Sequence, residues 1–127
     1  MLGQACAIAL GGALGALARF WLSNAVYALA GRAFPWGTLA VNVAGSLVMG
    51  VLFVTMLERA GDVSTQMRAG LMTGFLGALT TFSTFSLESV ALLESGRVLL
   101  AGANAVVSVV TCIAACWAGM WLARAFT

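Results

Sequence analysis

The chain has 127 residues, 62% of them hydrophobic and only 8% charged, with a mean hydropathy of +1.05. A soluble domain has about a quarter of its residues charged, and disorder requires low hydrophobicity, so composition excludes both. The six basic residues leave a net charge of only +2, too sparse for a nucleic-acid surface. Without histidine, and with three scattered cysteines, neither a His-based triad nor a Cys/His metal site is available, and no enzyme is expected.

Residues 1–18, 33–57, 69–87 and 98–123 carry no charged side chain. A membrane-spanning helix needs about 20 apolar residues. The pattern therefore predicts an all-α integral membrane protein, a single transmembrane domain over residues 1–127 with four spans at about 4–28, 38–57, 69–93 and 98–123. In the first span, Ala16-Leu17-Ala18 has the look of a signal cleavage site. A signal peptide begins with a positive region, whereas the first positive side chain here is Arg19, so cleavage is not expected. The connections are short, and the lone proline, Pro35, is placed to start the second helix. Cys6, Cys112 and Cys116 fall in apolar runs and are expected to be small buried residues rather than disulfide or metal partners. Trp117 and Trp121 near one end, and Phe20, Trp21, Phe34 and Trp36 near the other, suit interfacial belts.

With four spans both termini share a side with the second loop. Arg59, Arg68 and Arg124 lie on that side, and Arg32, Arg97 and Arg19 toward the other. This balance gives the positive-inside rule almost nothing to act on, so insertion in both orientations is open. Four helices leave little space for a hydrophilic path, which favours an oligomer. Gly11-xxx-Gly15 and Gly70-xxx-Gly74, followed by Gly77, allow close helix approach, equally well between subunits or within one.

Polar groups at membrane depth are costly without a partner. Thr38, Asn42 and Ser46 form a stripe on the second span, and Asn104, Ser108 and Thr111/Cys112 repeat it on the fourth. Such stripes either hydrogen-bond between helices or line a path. The third span carries Thr80-Thr81-Phe82-Ser83-Thr84-Phe85-Ser86, whose β-branched and hydroxyl side chains weaken a helix. This predicts a broken third helix, interrupted near residues 77–82. Carbonyls ending the first half-helix suit a cation, and amides opening the second suit an anion. Phe82 and Phe85 share a helix face, and their positive ring edges, beside the Ser83 and Thr84 hydroxyls, can hold a small dehydrated anion without a full positive charge. Glu88 is an intramembrane carboxylate and hence a functional candidate: it relays protons, pairs with Arg19, or hydrogen-bonds a hydroxyl.

The run Gly74-Phe75-Leu76-Gly77-Ala78-Leu79-Thr80-Thr81-Phe82-Ser83-Thr84-Phe85-Ser86-Leu87-Glu88 resembles the third-helix signature of the Fluc (CrcB-type) fluoride channels. Gly37-Thr38-Leu39-Ala40-Val41-Asn42 resembles the start of that family's second helix, and Gly11 to Phe20 its first. The resemblance implies a dual-topology antiparallel homodimer with two fluoride pores, in a bacterial inner (cell) membrane, relieving cytoplasmic fluoride by passive efflux. It implies a structural, non-transported sodium ion at the dimer centre, held by carbonyls that fall on Gly77 and Thr80. The anion pathway falls on Asn42, Phe82, Ser83, Thr84, Phe85 and Ser108, with Arg19, Glu88, Asn104 and Cys112 as accessory candidates. Family members often have serine where Cys112 stands, so Ser108 carries the fourth-helix part of the track. The principal alternative is a small proton-coupled multidrug-type exporter using Glu88, and a third is an accessory subunit without transport.

Overall fold

A computed structural model of the chain describes residues 1–59 and 61–127. Four helical stretches, Leu2–Ala30, Trp36–Glu58, Thr65–Glu94 and Val98–Phe126, are long and apolar enough to cross a membrane. In chain order these are α1 (Leu2–Ala30); α2 (Trp36–Phe53), continued by a π-helical turn (Val54–Glu58); α3 (Thr65–Arg68), running into a π-helical stretch (Ala69–Leu76) and α4 (Gly77–Leu79); α5 (Phe82–Glu94); and α6 (Val98–Phe126). Each stretch outruns the apolar span read from sequence. Helical hydrogen bonding continues past the apolar boundary, so charged residues such as Glu94 and Arg124 occupy last turns.

Local chemistry sets the ends. α1 stops at Gly31, whose φ of 82° and ψ of −178° suit only a residue without Cβ. Pro35 stands at the N-cap of α2, where its missing N–H costs no intrahelical bond. Ser64 caps α3, its Oγ accepting from the Met67 N–H at 3.1 Å.

The most extensive pairings are α2 with α6 and α1 with Ala69–Leu76. Glycine makes both possible. A Cβ at Gly50 would run into the Cys116 carbonyl, and one at Gly119 into the Leu47 carbonyl. Gly11 and Gly15 face the carbonyls of Gly70 and Phe75 in the same way, and Gly74 packs on Ile8. Of the two uses open to the Gly11/Gly15 and Gly70/Gly74 faces, the chain adopts packing within one subunit. Gly77 differs: it is exposed, and the nearest atom to a Cβ built there is the Met72 oxygen at 3.9 Å.

Val41, Leu76 and Leu79 form the buried cluster, with Ala18, Met49, Leu52 and Phe75 packed around it. Many large apolar side chains point outward instead, among them Leu10, Leu14, Val106, Val110 and Ile113. That inverted distribution suits a surface facing lipid or another apolar partner. Phe20, Trp21, Trp117 and Trp121 are likewise exposed. The expectation of buried cysteines fails. Cys6 is exposed and Cys112 and Cys116 are half-buried, because the α6 face that carries the latter two borders an open groove.

At the end holding the second loop, Arg124 pairs with Glu58, with Nη2 2.5 Å from Oε1. Arg59 donates to the Thr127 hydroxyl at 2.6 Å and to the Arg124 carbonyl at 3.3 Å. The arginines counted as equal on that side are thus unequal, since Arg124 has a carboxylate partner within the chain.

Candidate functional site

The site is built around two residues. Leu79 is the last residue of α4; Thr80 (φ −86°, ψ 155°) and Thr81 (φ −152°, ψ 122°) are extended; and α5 begins at Phe82. Threonine suits this conformation, being β-branched and able to bond its own backbone. The Thr80 hydroxyl donates to the Leu76 carbonyl at 2.9 Å, alongside the Thr80 N–H at 3.0 Å. The Thr81 hydroxyl caps α5, accepting from the Thr84 N–H at 3.2 Å and donating to the Thr84 hydroxyl at 3.1 Å. Ser83 lies within hydrogen-bond reach of the same oxygen, at 3.3 Å.

Asn42 of α2 holds this segment from the side. Its Oδ1 accepts from the Thr81 N–H at 2.7 Å, and its Nδ2 donates to the Thr81 carbonyl at 3.0 Å. One primary amide therefore satisfies both main-chain groups of Thr81, as a neighbouring strand would. Because the Thr81 N–H turns to Asn42, it does not close the helical bond to Gly77. The carbonyls of the last turn of α4 are left as helix-end acceptors.

Thr81 lines two cavities. The first is a groove of about 430 Å³ between α2, α5 and α6, bordered by Asn42, Ser46, Phe82, Phe85, Ser108 and Cys112. The Phe82 and Phe85 ring centroids are 5.3 Å apart at an interplanar angle of 45°, and Phe82 is 76% exposed. That exposure leaves the ring edge free to meet a ligand or a partner chain. The second cavity, of about 530 Å³, lies against α1 and is bordered by Arg19, Tyr27, Arg32, Thr38, Thr84 and Glu88. The structure thus brings Asn42, Phe82, Phe85, Ser108 and Cys112 together, and separately gathers Arg19, Thr84 and Glu88. Ser83 is exposed and borders neither.

Glu88 takes the hydroxyl-bonded form among the three considered. It accepts from the Tyr27 hydroxyl at 2.8 Å on Oε2 and from the Thr38 hydroxyl on Oε1. Among the described residues it forms no ion pair with Arg19, the recorded salt bridge being Arg124–Glu58. Arg32 stacks over the Tyr27 ring, 4.5 Å from its centroid. Tyr27 escaped notice as a site residue; being the one tyrosine in the chain, at the last turn of a span, was its only sequence signal.

Asn104 is 1% exposed and works as glue between α5 and α6. Its Nδ2 donates to the Ser89 hydroxyl at 2.9 Å, Ser89 donates to the Phe85 carbonyl at 2.8 Å, and Ser108 donates to the Asn104 Oδ1 at 3.2 Å. The fourth-span stripe accordingly divides. Asn104 holds helices together, while Ser108, which bonds to it, and Cys112 both border the groove.

Residues 6–120 match the family described as CrcB-like protein, Camphor Resistance (CrcB). A protein of Methylococcus capsulatus is 58% identical over 93% of this chain, and the chain spans about half of that relative's length, 51%. Proteins of Geotalea uraniireducens and Geobacter sulfurreducens are each 52% identical over 93% of this chain and 94% of their own length. All three relatives carry the name fluoride-specific ion channel FluC. The extent of the match, running through all four spans and the Thr80–Thr81 segment, places this chain in the CrcB-like protein family.

Proposed function

We propose that this chain is the subunit of a fluoride-specific ion channel, a multi-pass membrane protein and not an enzyme. It works as a dual-topology antiparallel homodimer in a bacterial inner membrane, giving passive fluoride efflux that lowers cytoplasmic fluoride. The observation that carries the reading is the 52% identity to two relatives of that name over 94% of their length.

The geometry gives the proposal its physics. Fluoride is small and strongly hydrated, so a path must replace its water with closely spaced donors. In the groove Asn42 has a second amide hydrogen beyond the one on Thr81, and Phe82 and Phe85 offer weakly positive ring edges. The Thr84 hydroxyl borders the second cavity, and that of Ser83 is exposed beside it at the start of α5. None of these carries a full charge, so each holds an anion loosely enough to pass it on. The groove stands open on the face of a single chain, and a second copy would wall it.

For the structural sodium ion, the residues fit. Gly77 is exposed, nothing crowds its Cα, and its carbonyl lacks the Thr81 N–H. Main-chain oxygens are hard donors suited to a hard cation. Gly77 and Thr80 together offer two per chain, so a two-fold axis would bring four.

Purified protein in liposomes, with no proton gradient, tests the function. Fluoride should leave on demand while chloride stays, and replacing sodium by a bulky organic cation should abolish the flux. Glu88→Gln separates the channel from the proton-coupled exporter. Tyr27 and Thr38 already bind both Glu88 oxygens, so the glutamine variant should retain fluoride flux, whereas an exporter would lose its coupling acid.

A further inference from the structure

The α6 wall of the groove carries sulfur that the proposed anion path does not use. Cys112 and Cys116 both line it, and Met49 of α2 lines it opposite them. The two cysteines are four residues apart on one helix, which sets their Cβ atoms about 5–6 Å apart on the same face. Both are half-buried, and among the described residues no hydrogen bond engages either thiol. No carboxylate borders the groove, and the thiols share its α6 wall with the aliphatic Val109 and Ile113 and the Ser108 hydroxyl.

We propose that Cys112 and Cys116, with Met49 opposite them, form a binding site for a soft, thiophilic divalent cation of linear preference, the mercuric ion. Thiolate and thioether donors select soft metals. A linear sulfur–metal–sulfur unit with bonds of roughly 2.3 Å spans about 4.6 Å, within reach of two side chains on adjacent turns. Zinc would demand four ligands, and hard cations would demand several oxygens, carboxylates among them; the oxygens that border the groove are all neutral, and no carboxylate joins them. With mercuric ion the step balances without redox change. Two S–H bonds break, two S–Hg bonds form, two protons leave, and the bis-thiolate product is neutral. Neutrality matters, because an uncompensated charge among aliphatic walls would be costly. The bound ion would sit in the same groove as Ser108, Phe82 and Phe85, so occupancy would obstruct it. This last consequence rests on the proposed channel function; the binding site itself does not.

The probe is mercuric chloride, titrated into full-length detergent-purified protein carrying Cys6→Ser. Native mass spectrometry counts bound mercury, and maleimide labelling counts free thiols. One mercury per chain, protecting both thiols together, is the expected result. Under competition from free cysteine, Cys112→Ser and Cys116→Ser should each bind at least about 100-fold more weakly, the loss expected when the second ligand's effective concentration disappears. Two mercury ions per chain, no retained mercury, or single variants that compete as well as the parent would each overturn the site. The stoichiometry of the Cys6→Ser protein alone is decisive should a single variant fail to fold. In liposomes, mercury should stop fluoride flux in the Cys6→Ser protein. One tightly bound mercury with undiminished flux would keep the metal site and remove the groove from the conduction route.

Discussion

The two cavities that meet at Thr81 are built from opposite materials. The groove between α2, α5 and α6 has phenyl rings, aliphatic walls and thiols, with polar atoms only at Asn42, Ser46, Ser108 and the threonines. The cavity against α1 has two arginines and a carboxylate within the same reach. In the groove the polar side chains hold structure: Asn42 grips Thr81, and Ser108 bonds Asn104. In the α1 cavity the Tyr27 and Thr38 hydroxyls converge on Glu88, while among the described residues Arg19 has no carboxylate partner. Charged side chains line one cavity and neutral dipoles the other, and one extended residue, Thr81, borders both.

The largest expected effect comes from the residue that joins the two. Asn42→Asp keeps the acceptor for the Thr81 N–H but sets a carboxylate oxygen against the Thr81 carbonyl, and adds a negative charge beside the groove. Replacing a hydrogen bond by an unsatisfied buried group costs about 1–3 kcal/mol, more when charged. Fluoride flux in liposomes should vanish, and thermal stability should fall. A variant with parent flux would show that the clamp is dispensable and the comparison of the cavities misplaced.

Phe82→Ile and Phe85→Ile address the groove alone. They keep apolarity and approximate volume but remove the ring edges, so each should cut fluoride flux by about tenfold or more, corresponding to ~1.4 kcal/mol of lost stabilisation. Size-exclusion profiles should remain those of the parent. Should both variants conduct normally, the rings are packing residues.

The smallest effect should follow Asn104→Ala. It removes the bridge from Ser89 to Ser108; Asn104 itself borders neither cavity, and of the lining only the Ser108 hydroxyl loses a partner. Interhelical hydrogen bonds of this kind average about 0.6 kcal/mol in membranes. A melting-temperature drop of a few degrees with flux retained is the expected outcome; abolished flux would mean that the bridge sets the position of Phe85.

Much of this architecture was legible because charge and glycine report directly on membrane spans. The charge-free runs located all four long helices, and the cluster Thr80-Thr81 with Ser83, Thr84 and Ser86 pointed to the segment where the helical path is extended. What could not be read was the choice of partner. The stripe that holds Asn42 is equally open to interhelical bonding and to lining a path; its amide is committed to a main-chain segment 39 residues away, and no periodicity encodes that. Gly11 and Gly15 likewise carry one signal for two uses, and only the fold reveals that their close approach is to Gly70 and Phe75. The half-buried state of Cys112 and Cys116 is not legible either, because hydropathy distinguishes apolar from polar surroundings but not core from groove.

The grip of Asn42 on Thr81 is also lopsided in its tolerance to substitution. At position 81 the bonded atoms belong to the main chain, so a small residue able to stay extended in this buried place keeps them, and serine keeps the α5 cap as well. At position 42 they belong to the side chain. A primary amide of one particular length is required there, aspartate lacking the donor and glutamine overshooting by a methylene. A saturation library should therefore be permissive on one side of this contact and nearly closed on the other, although both residues take part in the same two hydrogen bonds.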